Sequence, residues 1–217
     1  MNLAELSTPT DQQRMIASMR PTKFEEYVMC KSLNIRKSEF GFSMLEVMVI
    51  LGIISIMAAI AVPSFSRWLP GSRLKSAARD LYSNLQLTKI GAVRTGSTWA
   101  IVFDPGSPQG RYYICSDPGA NGIWEGPAGD DTVDKIVDLA NYKSGLDYGH
   151  GNATTPIETT FDDEITFGGN VVVFSARGTC NSGYVYFDNS KNNTSYGVGT
   201  RTVGSINLKK WSGGSWQ

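Results

Sequence analysis

Residues Val47 to Val62 run for sixteen positions without a charged side chain, and the next charge is Arg67. An uncharged apolar stretch of this length folds as a helix if it enters lipid, where every backbone N–H and C=O must find its partner within the segment. Glu46 stands at its mouth, in Gly41-Phe42-Ser43-Met44-Leu45-Glu46. Burying a carboxylate in lipid is costly, so a Glu at this place points to function. The bland alternative is a side chain that snorkels to the interface.

The charge pattern gives the span a direction. Residues 1–41 hold six Lys/Arg and five Asp/Glu, and the stretch from Lys31 to Phe40, with Arg36 and Lys37, is basic. Positive charge before an apolar span retains that side in the cytoplasm, so the reading is N-terminus in and C-terminal part out. A secretory signal peptide would place a small-residue cleavage site after the span. Here Pro63-Ser64-Phe65-Ser66 follows, without an Ala-x-Ala site, and the notable glycine lies before the span. Cleavage after Gly41 would remove the leader and leave the apolar helix attached.

Gly41-Phe42-Ser43-Met44-Leu45-Glu46-Val47 resembles the type III signal of type IV pilins and type II secretion pseudopilins. That signal is a basic leader ending in Gly, then Phe, with Glu fifth after the cut and about twenty apolar residues beyond. The resemblance implies cleavage between Gly41 and Phe42 by a prepilin peptidase at the inner membrane, and N-methylation of Phe42. It also implies a role for Glu46 in assembly, paired with the free amine of a neighbouring subunit's Phe42. The leader is long for this family. A start at Met29 would shorten it to thirteen residues, and both starts stand open.

Beyond the span, Trp68, Leu69, Leu74, Ala77, Ala78, Leu81, Leu85 and Ala92 recur at three- and four-residue steps, with Arg67, Arg73, Lys75, Arg79 and Lys89 mostly on other faces. This predicts an amphipathic helix to about Arg94, kinked at Pro63 and bent or broken at Pro70-Gly71. After Gly96 the period changes to two. Strands are expected at 98–103, 111–115, 135–139, 165–167, 171–174, 184–187 and 202–208, with a turn at Gly168-Gly169-Asn170. Asp117–Asp134 and Lys143–Pro156 read as exposed loops. The fold class is α+β: a long N-terminal helix, transmembrane then amphipathic, packed on a C-terminal antiparallel β-sheet head. The divisions are a leader at 1–41, a transmembrane or filament-core helix at 42–66, an amphipathic helix at 67–96 and a periplasmic head at 97–217.

The head carries a second resemblance. Val171–Gly178, Gly183–Phe187 and Arg201–Leu208 are similar to the last strands of the GspH/FimT group of minor pilin-like proteins. Together the resemblances imply a pilin fold and a minor pseudopilin of a type II secretion system. A minor pilin of a type IV pilus, serving assembly, adhesion or DNA uptake, is the alternative. The implied partners are other pilin or pseudopilin subunits, the prepilin peptidase and the inner-membrane assembly machinery. The implied location is single-pass in the bacterial inner membrane, then in a periplasmic or surface filament.

Other constellations are weaker. Cys115 and Cys180 form either one disulfide in an oxidising compartment or two separate buried thiols. Asp117-Pro118-Gly119-Ala120-Asn121-Gly122 resembles part of a calcium loop, but Gly119 replaces a ligand and no closing glutamate follows. Asp117 and Asn121 are therefore a weak calcium candidate beside a plain polar loop, and no other cofactor is expected. His150, the sole histidine, sits in a glycine-rich stretch without metal-ligand spacing and reads as a solvated loop residue. No nucleophile elbow or phosphate loop is present, so the chain does not read as an enzyme. Lys209-Lys210-Trp211 offers too few cations to argue for nucleic acid. The formal net charge of zero agrees with that.

Overall fold

The computed structural model describes residues 41–106, 110–142, 145–158, 161, 163–189 and 194–217. The leader, with Met29, Cys30 and the basic stretch before Gly41, lies outside the described residues. Among the described residues the chain divides between Leu51 and Gly52, within a long helix. That helix, α1, spans Met44–Thr95. It contains both Pro63 and Pro70 and continues through Pro70-Gly71, so the expected break there is not present. Pro70 is buried among the first residues of the helix to meet the core.

Among the described residues nine strands follow: β1 Trp99–Asp104, β2 Arg111–Asp117, β3 Thr132–Asp138, β4 Leu146–Tyr148, β5 Val171–Phe174, β6 Gly183–Asn189, β7 Tyr196–Thr200, β8 Ile206–Ser212 and β9 Ser215–Trp216. They form two antiparallel sheets instead of the single sheet expected, in the orders β3-β2-β1-β5 and β4-β6-β7-β8-β9. The two sheets and α1 share one core. The helix contributes Leu74, Ala77, Ala78, Leu81, Leu85 and Ala92, which meet Ile101, Phe103, Tyr112 and Val172 of one sheet and Val185, Phe187 and Val198 of the other. The period of the buried helical positions is that of one face of an α-helix. Trp68, expected in this stripe, is 64% exposed.

Two polar residues complete the stripe. Asn84 and Thr88 are buried on the same helix face. Asn84 Nδ2 donates to Tyr112 Oη at 2.7 Å, and Asn84 Oδ1 accepts from Lys135 Nζ at 3.0 Å. Thr88 Oγ1 donates to the Asn84 carbonyl at 2.8 Å. A buried amide is tolerated because its partners are supplied in full geometry.

Several expected elements shift for identifiable reasons. The segment 165–167 is not a strand: Ile165 makes one isolated bridge to Val185, and Thr166 N donates to the Tyr184 carbonyl. The last long strand begins at Ile206, because Arg201–Ser205 closes a tight turn with Gly204 at φ +80°. The turn after Phe167 is as expected, with Gly169 and Asn170 both at positive φ. Strand β4 lies within 143–156, which read as exposed loop, yet Leu146 and Tyr148 are buried. Tyr148 Oη donates to the Arg111 carbonyl at 2.8 Å and ties one sheet to the other. Strand β7 is hidden by its glycines: a Cβ at Gly197 would strike Ile157, and one at Gly199 would strike the Gly183 carbonyl. Glycine in a strand here marks close approach of neighbouring chain.

Leu81 is fully buried at the centre of the helix–sheet contact. Leu81→Ala should lower the unfolding free energy of the head by about 2–5 kcal/mol, the cost of lost burial plus the remaining cavity. Urea unfolding followed by near-ultraviolet circular dichroism would measure the displaced midpoint.

Candidate processing and assembly site

The residues at the start of α1 owe their arrangement to local chemistry. Val47 N donates to the Ser43 carbonyl at 3.1 Å, which makes Ser43 the N-cap. Glu46 is then the third helical residue, in the first turn of α1. Ser-x-x-Glu is the capping-box pattern, and a carboxylate in the first turn complements the positive end of the helix dipole. The sequence reading missed this local role, although Ser43 and Glu46 stand in plain view at the required spacing. Glu46 and Phe42 are both exposed, Phe42 at 74%.

Among the described residues, a Cβ built at Gly41 meets nothing within 4 Å. Every residue from Gly41 to Trp68 is exposed, including Met48, Ile54, Met57, Ile60 and Phe65. Among the described residues α1 is the one helix long and apolar enough to cross a membrane, and none of its apolar window is buried. A contiguous apolar surface of this extent requires lipid or protein to cover it.

The other sites named from sequence lie in the head. Cys115 and Cys180 are free thiols buried in separate clusters, so the disulfide reading is replaced by the second one. Cys180 lies in the main core, and its Sγ donates to the Arg201 carbonyl at 3.1 Å. Cys115 lies on the opposite face of its sheet with Val102 and Tyr113, under Trp124. Burial, aided by the carboxylates of Asp131 and Asp134, pushes the Cys115 thiol from its ordinary 9.0 up to about 12.

The cover over Cys115 is the segment expected to be an exposed loop. It is held down by its own acids. Asp131 Oδ2 accepts from Glu125 N at 2.9 Å and Gly126 N at 2.6 Å, and Asp130 Oδ2 accepts from Ala120 N at 2.7 Å. Asp117 Oδ1 accepts from Gly119 N, and Asn121 Oδ1 from Ile123 N. The two weak calcium candidates thus each close a turn of their own. Among the described residues no group of three or more His, Cys, Asp or Glu side chains converges as a metal site.

His150 differs from its expected solvated state. It is half-buried and stacks on Phe161 with ring centroids 4.2 Å apart, at the end of an aromatic chain through Tyr186 and Trp216. Trp211 is buried against Trp216, so it is not free to stack a base.

Comparison with known proteins covers both parts of the chain. Residues 77–204 match the family model described as type II transport protein GspH, and residues 36–62 match the prokaryotic N-terminal methylation motif. Type II secretion system protein H of Xanthomonas campestris pv. campestris is 27% identical over 71 residues, covering 33% of this chain. The aligned part spans 42% of that relative, less than half its length. Among solved structures, the minor pseudopilin EpsH from the type 2 secretion system of Vibrio cholerae has 13% identity and a TM-score of 0.40, covering 63% of this chain and 95% of that one.

The thiol environment sets a pH dependence. With the folded pKa of Cys115 raised and its unfolded value near 9.0, the folded state holds the proton more tightly. Stability should be unaffected by this group below pH 9 and should fall as pH rises from there toward 12. Cys115→Ala should flatten that part of a pH–stability profile. Mass-spectrometric mapping after treatment of the folded chain with a thiol reagent should find Cys115 and Cys180 unlabelled and unlinked; a Cys115–Cys180 linked peptide would contradict the free-thiol assignment.

Proposed function

Because the chain belongs to the type II transport protein GspH family, we propose that it is a minor pseudopilin, a filament subunit of a type II protein secretion system. The observation that carries this reading is the succession on one chain of an N-terminal methylation motif at 36–62 and the family's own region at 77–204, with one helix running from the first into the second. The function is assembly, without catalysis. The type IV pilus alternative lacks an observation that favours it.

Processing would occur between Gly41 and Phe42. The methylation motif at 36–62 includes Gly41, and recognition by a peptidase would account for glycine there. The new amino terminus at Phe42 would be methylated. Before assembly the exposed apolar length of α1 would lie in the inner membrane, with the head on the periplasmic side. In the filament the same surface would be covered by the helices of neighbouring pseudopilins.

Glu46 has two separable tasks on this reading. Its place in the first turn supports the helix start. Its charge would pair with the amine of a neighbouring subunit's Phe42, and in an apolar core that pair has strict requirements. Removing one member of a buried ion pair costs about 3–5 kcal/mol, since the other is left desolvated and alone. The pair therefore sets the register at which subunits dock.

Mass spectrometry of the membrane-extracted protein should find a chain beginning at Phe42 with one added methyl group. An intact leader in cells with an active prepilin peptidase would refute the processing claim. Glu46→Gln keeps a capping-box side chain and loses the charge. It should leave processing intact and reduce incorporation into sheared filaments by more than about tenfold. Wild-type incorporation of this variant would assign Glu46 to helix capping alone.

A further inference from the structure

Just beyond the apolar run, α1 borders a cationic cavity of about 410 Å³. Lys75 and Arg79 reach it from the helix, and Lys210 reaches it from β8, with Ser72 and Tyr196 between them and Trp68 at one end. Lys75 and Arg79 are four residues apart and share a helix face. Tyr196 and Lys210 are paired across β7 and β8, so the third cation is brought from a different element at fixed register. No carboxylate is among the lining residues. Three cations around one cavity repel each other, and an anion with several acceptor oxygens relieves that repulsion while taking the hydroxyl donors. The volume lies in the usual range of small-ligand sites, about 300–1,000 Å³.

The position of the cavity narrows the anion. Trp68 lies six residues past Val62, about 9 Å along the axis, where an aromatic ring belongs at a membrane–water interface. It is exposed. Lys75 and Arg79 stand about 10 and 16 Å farther than Trp68. Helical side chains lean toward the N-terminus, so these long cations reach back toward the span. A ligand seated among them would have its other end beside Trp68 and the exposed Phe65 and Val62. That ligand is charged at one end and apolar at the other. An acidic protein segment would match the charge but not the apolar end.

We propose that Lys75, Arg79 and Lys210 bind the phosphate of an anionic phospholipid, whose glycerol and acyl part packs on Trp68. The site rests on the reading that α1 enters a membrane. It would hold the head against the bilayer until the helix leaves for the filament, so that lipid release accompanies assembly.

The test uses the full chain and Lys75→Ala/Arg79→Ala/Lys210→Ala, each mixed with equal amounts of phosphatidylglycerol and phosphatidylcholine. Lipid retained after detergent exchange is counted by native mass spectrometry. The wild type should retain phosphatidylglycerol in preference by about tenfold or more, and the triple variant should lose the preference. Arg177→Ala, an exposed cation outside the cavity, should keep it. Equal retention by wild type and triple variant would overturn the site, as would loss of preference in Arg177→Ala. Displacement of the lipid by millimolar inorganic phosphate would identify a free-phosphate site, and displacement by a hexaglutamate peptide an acidic-protein site; either would overturn the lipid assignment. Reconstitution separates this from the anchor: entry into vesicles of both lipids without preference removes the site alone, and entry into neither removes the anchor and the site together.

Discussion

The constraint on which the rest depends is an apolar helical surface that the described residues do not bury. Between Met44 and Trp68 every residue is exposed, while from Pro70 onward the same helix contributes a fully buried stripe to the head. A free amphipathic helix of this length in water would be driven to aggregate, since burying each large aliphatic side chain is worth about 1.5–3 kcal/mol. A surface of this extent requires lipid or protein to cover it. Lipid tails are as apolar as leucine, so leaving them gives no hydrophobic gain by itself. On the proposed function, specific contacts would have to favour assembly over the bilayer, and the proposed pair between Glu46 and a neighbour's Phe42 amine would be one that lipid cannot supply.

The helix and its N-terminal methylation motif are legible because they obey short-range rules. A run without charge, with a glycine and a glutamate before it, requires no knowledge of tertiary contacts. The buried stripe was also legible where it is apolar, at Leu74, Ala77, Ala78, Leu81, Leu85 and Ala92. Asn84 and Thr88 were not, because a polar residue on a core face is acceptable only when a distant partner exists, and Tyr112 and Lys135 are remote in sequence. Trp68 erred the other way: it has the right spacing and hydrophobicity, but it precedes the point where the head begins.

The head was harder to read for the same reason. Tyr196-Gly197-Val198-Gly199-Thr200 resembles a loop by composition, and becomes a central strand because its neighbours leave no space for side chains. The segment Asp117–Asp134, expected as an exposed loop, is exposed over most of its length, yet its acids bind its own backbone N–H groups and it shields Cys115. In the strand the deciding atoms lie on another element, and in the loop they lie several residues away along the chain. The split into two sheets is of the same kind: alternation within a strand does not say which strands pair.

The Asn84–Tyr112–Lys135 group also bears on how the helix presents its outer faces. Apolar contacts between α1 and the sheets would tolerate a small rotation of the helix, because dispersion is nondirectional. Three hydrogen-bonding groups held to one geometry do not. Lys89, one turn farther on, donates to the Gly204 carbonyl at 2.9 Å and fixes the helix to the β7–β8 turn as well. The rotation of α1 is thus locked over residues 84–89. Lys75 and Arg79 lie on that same helix about one and a half to two and a half turns before Asn84, and their approach to Lys210 depends on the locked angle. Buried polarity that contributes little net stability accordingly sets the face that the helix offers to whatever surrounds it.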